Sequence, residues 1–140
     1  MSVAAFPIAT TQGGVCFGFP DVCRTPGPGT PPIPYPNLGQ LKEAKKTSDG
    51  SQGPGQVTVG GEFVILDSSE IEKTQGDEPA QDSGGVPSGA KGGKVTFPNG
   101  SSTVQIHGRK VVRMLDQTEQ NEGNVRGTVL GGVPNVLVGG

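Results

Sequence analysis

The sequence has no tryptophan, one histidine, one tyrosine and two cysteines. A single histidine leaves little material for a nucleophile–base pair or for a histidine-rich metal site. Charged residues make up 17% of the chain, with 11 Lys and Arg against 13 Asp and Glu, and they form no basic stripe. This balance argues against nucleic acid as a partner.

Long apolar runs are also absent. No stretch approaches the roughly 20 apolar residues that span a bilayer. Residues 1–7 lack the basic region and the apolar length of a secretory signal peptide. We therefore expect a protein that is made in the cytoplasm, does not insert stably into a membrane and uses an export route other than general secretion.

Glycine and proline are abundant, with 25 and 13 of the 140 residues. Proline is dense in residues 1–36, which we expect to form an extended arm because proline disfavours helices and central strands. Whether this arm is a solvated linker or packs Ile33 and Tyr35 onto a core stays open. Residues 37–40 have capping-box spacing and predict a short helix near 38–46.

Across residues 56–140, β-branched residues alternate with other residues and glycines separate the runs. This pattern predicts short β-hairpins. One hairpin is expected around the Gly60-Gly61 turn, and a second between residues 94–97 and 102–106. At this length, residues 1–140 are expected to form a single all-β domain.

The pattern Val-x-(Val/Ile)-x-Gly occurs three times in this region. The copies begin at Val57, Val104 and Val136, which are 47 and then 32 residues apart. If the repeat is real, it predicts three similar hairpins around a pseudo-threefold axis, with their β-branched side chains meeting at the centre. The alternative is that a glycine- and valine-rich chain produces so short a pattern by chance. The β-branched positions of the three copies are Val57, Val59, Val104, Ile106, Val136 and Val138.

Several strings of the sequence resemble the PAAR-like domain family. They include F-P-D-V-C-x-T-P and P-I-P-Y-P-N within residues 18–26 and 31–37, and further matches at 74–79, 84–89 and 100–116. The resemblance implies a cone of short β-hairpins that caps the trimeric β-helical spike, of the VgrG type, of a bacterial contractile injection system. One chain would cap each trimer and sharpen it for membrane puncture.

On this resemblance we expect a bare structural tip that is assembled in the cytoplasm and delivered outside the cell on the spike. Family-like sequence continues to Gly140, which leaves no room for a separate toxin domain. The alternative is an adaptor that docks a toxin or other cargo onto the spike. Spike docking is assigned to the six β-branched positions of the repeat.

No catalytic residues and no metal are expected. Members of the PAAR family often bind a metal through histidines and a cysteine, but Cys16, Cys23 and His107 supply three donors where tetrahedral zinc takes four. A bound zinc is therefore the less favoured alternative, and His107 is expected to be an exposed turn residue. The two cysteines are expected to be free thiols, with a disulfide only in an oxidising compartment. Without a nucleophile motif beside a histidine, the chain is predicted not to be an enzyme.

Overall fold

The computed structural model describes residues 5–23, 31–44, 57–77, 85–86, 90, 92–106 and 108–140. As predicted, this part of the chain is all-β, and a single 3₁₀ turn, Leu41–Glu43, interrupts the strands. Nowhere in it is a helix long and apolar enough to cross a membrane. The strands are β1 Phe6–Ile8, β2 Val15–Cys23, β3 Ile33–Gln40, β4 Thr58–Val59, β5 Glu62–Phe63, β6 Glu70–Ile71, β7 Val95–Thr96, β8 Gln105–Ile106, β9 Arg109–Lys110, β10 Gln117–Gln120, β11 Val125–Leu130 and β12 Val133–Val138.

Six of these strands form one antiparallel sheet in the order β3-β2-β11-β10-β7-β6. Strand β11 shows the period-2 pattern of a sheet with one covered face, since Val125, Gly127 and Val129 are buried and alternate with more exposed residues. The covered face packs into a main core. The buried residues of this core are Ala9, Cys16, Leu41, Ala44, Ile65, Ile71, Val95, Phe97, Val112 and Val129.

The proline-rich segment contributes strands to this sheet. Phe17 of β2 pairs with Leu38 of β3, and β2 lies between β3 and β11. The described part of the segment is therefore neither a free arm nor a linker. Strand β3 tolerates Pro34 and Pro36 because it is an edge strand, where a missing N–H breaks no ladder. Of the two residues expected on a core, Ile33 is 39% exposed and Tyr35 is half-buried.

The short helix expected near 38–46 is reduced to the 3₁₀ turn Leu41–Glu43, because residues 38–40 pair with β2 as strand. Asn37, the expected capping residue, lies inside β3, and its side chain bonds to Asp21 instead. Residues 45–46 lie outside the described residues.

The hairpin around Gly60-Gly61 is confirmed, since β4 pairs with β5. The second expected hairpin, between residues 94–97 and 102–106, is wrong. Strand β7 pairs with β6 and β10 in the large sheet, while β8 pairs with β9, the strand after Gly108. A third pairing, which local sequence did not predict, joins β1 to β12 from opposite ends of the sequence.

Candidate functional site

Three backbone segments close a ring in the centre of the protein. The Ala9 N–H donates to the Val112 carbonyl, the Ile65 N–H to the Ala9 carbonyl and the Val112 N–H to the Ile65 carbonyl, each at 3.0 Å. All three residues are buried in the main core. Because every segment makes the same contact with the next, the ring has a pseudo-threefold axis.

A second cycle of hydrogen bonds connects the same three segments in the opposite direction, with donors two residues after and acceptors two residues before the members of the first ring. Its members are Thr11 N–H to Phe63 at 2.9 Å, Asp67 N–H to Lys110 at 2.9 Å and Met114 N–H to Pro7 at 2.8 Å. Isolated antiparallel bridges connect the segments in the same cyclic order, Thr10 with Val64, Leu66 with Val111 and Ile8 with Arg113. The threefold relation therefore extends over several residues of each segment.

The three copies of the sequence repeat form the hairpins that lead into this ring. Equivalent cross-strand pairs are Val59 with Glu62, Ile106 with Arg109 and Val138 with Phe6. The glycines that end the copies all have positive φ, 85° at Gly61, 75° at Gly108 and 89° at Gly140, a conformation that favours glycine. The repeat and its predicted pseudo-threefold packing are thus confirmed.

On one side of the ring, apolar residues from all three hairpins form a single cluster, the threefold cluster. Its buried members are Ile8, Val64, Leu66, Val111 and Val138, and the half-buried Val59, Ile106, Val133 and Val136 pack against them. Four of the six predicted docking residues therefore belong to one cluster. The other two, Val57 and Val104, lie next to it, because their carbonyls accept from the N–H groups of Val64 and Val111 at 3.2 Å.

These docking candidates differ in exposure. Val57 is 42% exposed and Val104 38%, whereas Val138 is only 5% exposed. A partner can therefore reach Val57 and Val104 directly, while Val138 supports the surface from below. Their role in docking stays a prediction.

A second group of interest is a buried polar cluster around Asp21. The Asp21 carboxylate accepts from the side-chain amides of Asn37 at 3.2 Å and Asn121 at 3.1 Å, and also from that of Asn124. Asn121 has a φ of 49°, which asparagine tolerates better than most residues, in the turn between β10 and β11. These contacts fasten β2, β3 and this turn to one carboxylate.

Asp77 and Cys23 lie against Asp21 in this cluster. Burial, with the neighbouring Asp21, raises the pKa of Asp77 from 3.8 to about 6, although the Gly92 N–H donates to both of its oxygens at 3.0 Å. Burial and the two carboxylates also raise the pKa of Cys23 to about 12. The thiol is therefore protonated at neutral pH and is a poor nucleophile.

Asp21, Cys23 and Asp77 place potential ligand atoms within 4.8 Å of one another. The set fits a metal badly, because amide N–H groups already occupy both Asp21 oxygens and the thiol is protonated. We interpret it as a hydrogen-bonded acid pair. Of the three donors considered from the sequence, Cys16 and Cys23 are not brought together, since Cys16 lies in the main core at the other end of β2 from Cys23. His107 lies outside the described residues.

The two cysteines cannot form a disulfide in this fold. Six residues of strand β2 lie between Cys16 and Cys23, and an extended strand of this length separates the two Cα atoms by about 20 Å, far beyond the Cα separation that a disulfide spans. Both thiols are free and buried, as expected for a structural role.

Sequence reasoning missed the acid pair and the contacts of Arg113. Asp21 stands inside the F-P-D-V-C string, and Asp77 stands among Gly, Gln and acidic residues that by themselves indicate a solvated loop. The sequence carries no local signal of their proximity, because the two aspartates lie in separate parts of the chain and only tertiary contacts bring them together. The contacts of Arg113 could be predicted only from its position in the ring. That position cannot be recognised before β1 is known to pair with β12 as the third hairpin.

Comparison with known proteins gives two matches. The family model described as the toxin PAAR-like domain matches residues 14–127. The chain is 40% identical over 117 residues to the DNase toxin Tse7 of Pseudomonas aeruginosa, an alignment that covers 78% of this chain and 28% of that toxin. The chain thus spans less than a third of the length of this relative. No solved structure matches the chain significantly.

Proposed function

The chain belongs to the toxin PAAR-like domain family, and we propose that it caps a trimeric β-helical spike of the VgrG type, one chain per trimer. The machine would be a type VI secretion system or a related contractile injection system. The observation that carries this proposal is the closed ring of hydrogen bonds among Ala9, Ile65 and Val112. A single chain matches a threefold end only if it presents three equivalent faces, and the ring supplies the axis for them.

The side chains at equivalent positions of the three hairpins support the threefold cluster as the docking face. Two sets of equivalent positions in the threefold cluster are apolar in all three hairpins, Val59, Ile106 and Val138 and also Ile8, Val64 and Val111. Their cross-strand neighbours differ, with an acid at Glu62, a base at Arg109 and an aromatic ring at Phe6. A symmetric partner makes the same contact three times, so it fits the apolar positions and not the varied ones.

Stoichiometry tests this proposal directly. Native mass spectrometry of the protein mixed with a spike trimer encoded beside it should give one chain per trimer, even with the chain in excess. Three chains per trimer would contradict the cap, because each subunit would then bind its own copy. Failure to bind any such trimer would contradict it as well.

A second candidate function is an adaptor that holds a toxin or other cargo on the spike. The relative that carries a matching region is a DNase toxin. Exposed apolar side chains on the large sheet provide a separate surface for cargo, with Phe17 39%, Phe19 58% and Leu130 46% exposed. Aromatic and aliphatic residues of this kind are common anchors of protein interfaces. Binding of the spike and of cargo at once, with cargo binding lost in Phe19→Ser, would favour the adaptor.

We further propose that the chain itself is not an enzyme and holds no resident cofactor. Both buried thiols have pKa values raised to about 12 by burial and are therefore protonated at neutral pH, while His107 lies outside the described residues. Assembly in the cytoplasm, followed by departure on the spike and puncture of the target membrane, completes the proposal.

A further inference from the structure

The third hairpin differs from the other two in how its strands are joined. Strands β4 and β5 are linked by the Gly60-Gly61 turn, and β9 follows β8 in the sequence after two residues. Strands β1 and β12 come from opposite ends of the sequence and have no connecting turn. Both strands of this hairpin lie outside residues 14–127, where the family model matches.

Arg113 contacts both strands of this hairpin. Its guanidinium carbon lies 5.6 Å from the ring centroid of Phe6 in β1, a cation–π distance. Its Nη1 donates to the carbonyl of Gly139, directly after β12, at 3.2 Å. Ser101 donates to the same carbonyl.

An ion pair holds the guanidinium in this position. Arg113 Nη2 and Nε donate to Asp116 at 3.0 and 3.2 Å, and the Arg113 backbone N–H donates to the same carboxylate at 2.8 Å. The two side chains are 9% and 11% exposed. A shielded ion pair with several hydrogen bonds fixes the side chain far better than an exposed pair would.

Two other residues occupy the ring positions that are equivalent to that of Arg113. They are Thr10 and Leu66, which are both buried and form the bridges that correspond to the bridge of Arg113. Neither side chain carries a charge, so neither can make the cation–π contact and the charged hydrogen bond that Arg113 makes. Of these three ring positions, Arg113 is the one that carries a charge, and its guanidinium bonds to Gly139 and lies over Phe6 of the hairpin that lacks a turn.

We propose that Arg113 is a positioning residue that holds β1 and β12 together. It thereby completes the third of the three docking corners, where a docking corner is the part of the docking face that one hairpin contributes. This inference rests on the proposed cap function, because a threefold partner requires all three corners. In the other two corners, a covalent turn provides the same constraint. Loss of the guanidinium should therefore separate β12 from β1 and leave the two turn-linked hairpins in place.

The variant Arg113→Met, made alone and together with Asp116→Asn so that no charge is left buried without a partner, tests this role. Amide hydrogen exchange should rise in Val133–Val138 and stay unchanged in the β4–β5 and β8–β9 hairpins. Affinity for the spike trimer should fall about tenfold or more, the loss expected when one anchor of a small interface is disordered. Arg126→Met is the matched control, because it removes a guanidinium at an exposed position of β11 outside the threefold cluster, and its affinity should stay near that of the wild type.

A redox-controlled cross-link distinguishes positioning from general stability. Pro7 and Leu137 face each other in the register of β1 and β12. In the background of Arg113→Met, the pair Pro7→Cys and Leu137→Cys should restore spike affinity when oxidised and lose it again when reduced. Cys16 and Cys23 are 0% exposed and should not compete for the new thiols.

Two results would overturn the inference. One is unchanged exchange of β12 in Arg113→Met. The other is a persistent loss of spike affinity in the oxidised cross-linked variant, which would assign Arg113 to the interface itself or to the core. If the wild type binds no spike trimer, the proposed function fails, and hydrogen exchange still decides the role of Arg113.

Discussion

The carboxyl groups of Asp21 and Asp77 lie within 4.8 Å of each other in a fully buried pocket. Burial and this neighbour raise the pKa of Asp77 from 3.8 to about 6. Between pH 3.8 and about pH 6, Asp77 holds a proton in the folded protein that it has released in the unfolded chain. The stability that this proton provides is therefore complete below pH 3.8 and is lost as the pH rises through about 6.

We predict that Asp77→Asn stabilises the protein at pH 7.5. An asparagine can accept from the Gly92 N–H and donate to Asp21, as the protonated acid does. The free energy of unfolding at pH 7.5 should rise by about 1–3 kcal/mol, and its decrease between pH 5 and 7.5 should become smaller. Urea denaturation at several pH values measures both quantities.

The matched control for this prediction is Glu119→Gln, which also removes a carboxylate but at an exposed position of β10. Its pH dependence should follow that of the wild type. An Asp77→Asn variant that is less stable at pH 7.5 and keeps the wild-type slope would show that Asp77 is ionised and needed as a charge.

We also predict that the purified protein carries well below one zinc or iron per chain. Asp21 has its oxygens occupied by amide donors, and a Cys23 thiol with a pKa of about 12 must lose its proton before it can bind a metal. Elemental analysis after purification without chelators measures the content. About one metal per chain that disappears in Cys23→Ala would reassign the acid pair as a metal site.

The pseudo-threefold architecture was accessible from the sequence because it leaves a local pattern. Alternating β-branched residues and a terminal glycine repeat from Val57, Val104 and Val136, and the structure places the second β-branched residue of each copy, Val59, Ile106 and Val138, at equivalent positions. The pairing of β1 with β12 could not be predicted in this way. Its first strand, Phe6–Ile8, has no counterpart nearby in the chain, and a long-range contact of this kind depends on the completed ring.

The large sheet and the polar cluster were hidden for other reasons. The prolines of β3 suggested an arm, yet an edge strand accepts them because its outer N–H groups need no partner. Asp77 stands among Gly, Ser and acidic residues that are typical of a solvated loop, and only tertiary contacts bury it beside Asp21. The sequence therefore predicts the three repeated hairpins better than it predicts the large sheet and the polar cluster, which depend on contacts between distant segments.

The docking face itself gives the third prediction, that Ile106→Asp greatly weakens spike binding. Ile106 is half-buried in the threefold cluster, so an aspartate retains some contact with water in the free protein but loses it on docking. Burial of an unpaired charge costs several kcal/mol, and affinity should fall about a hundredfold or more. Because Val59 holds the equivalent position, Val59→Asp should have a similar effect.

Exposed positions provide the controls that separate binding from folding in this prediction. Val104→Asp should also weaken binding, and its 38% exposure makes unfolding an improbable cause. Leu130→Asp, on the large sheet and 46% exposed, introduces the same charge away from the threefold cluster and should bind the spike like the wild type. Thermal melts confirm that each variant is folded, and surface plasmon resonance on the immobilised trimer gives the affinities. Undiminished binding by folded Val104→Asp and Ile106→Asp, or an equal loss with Leu130→Asp, would remove the threefold cluster as the docking face.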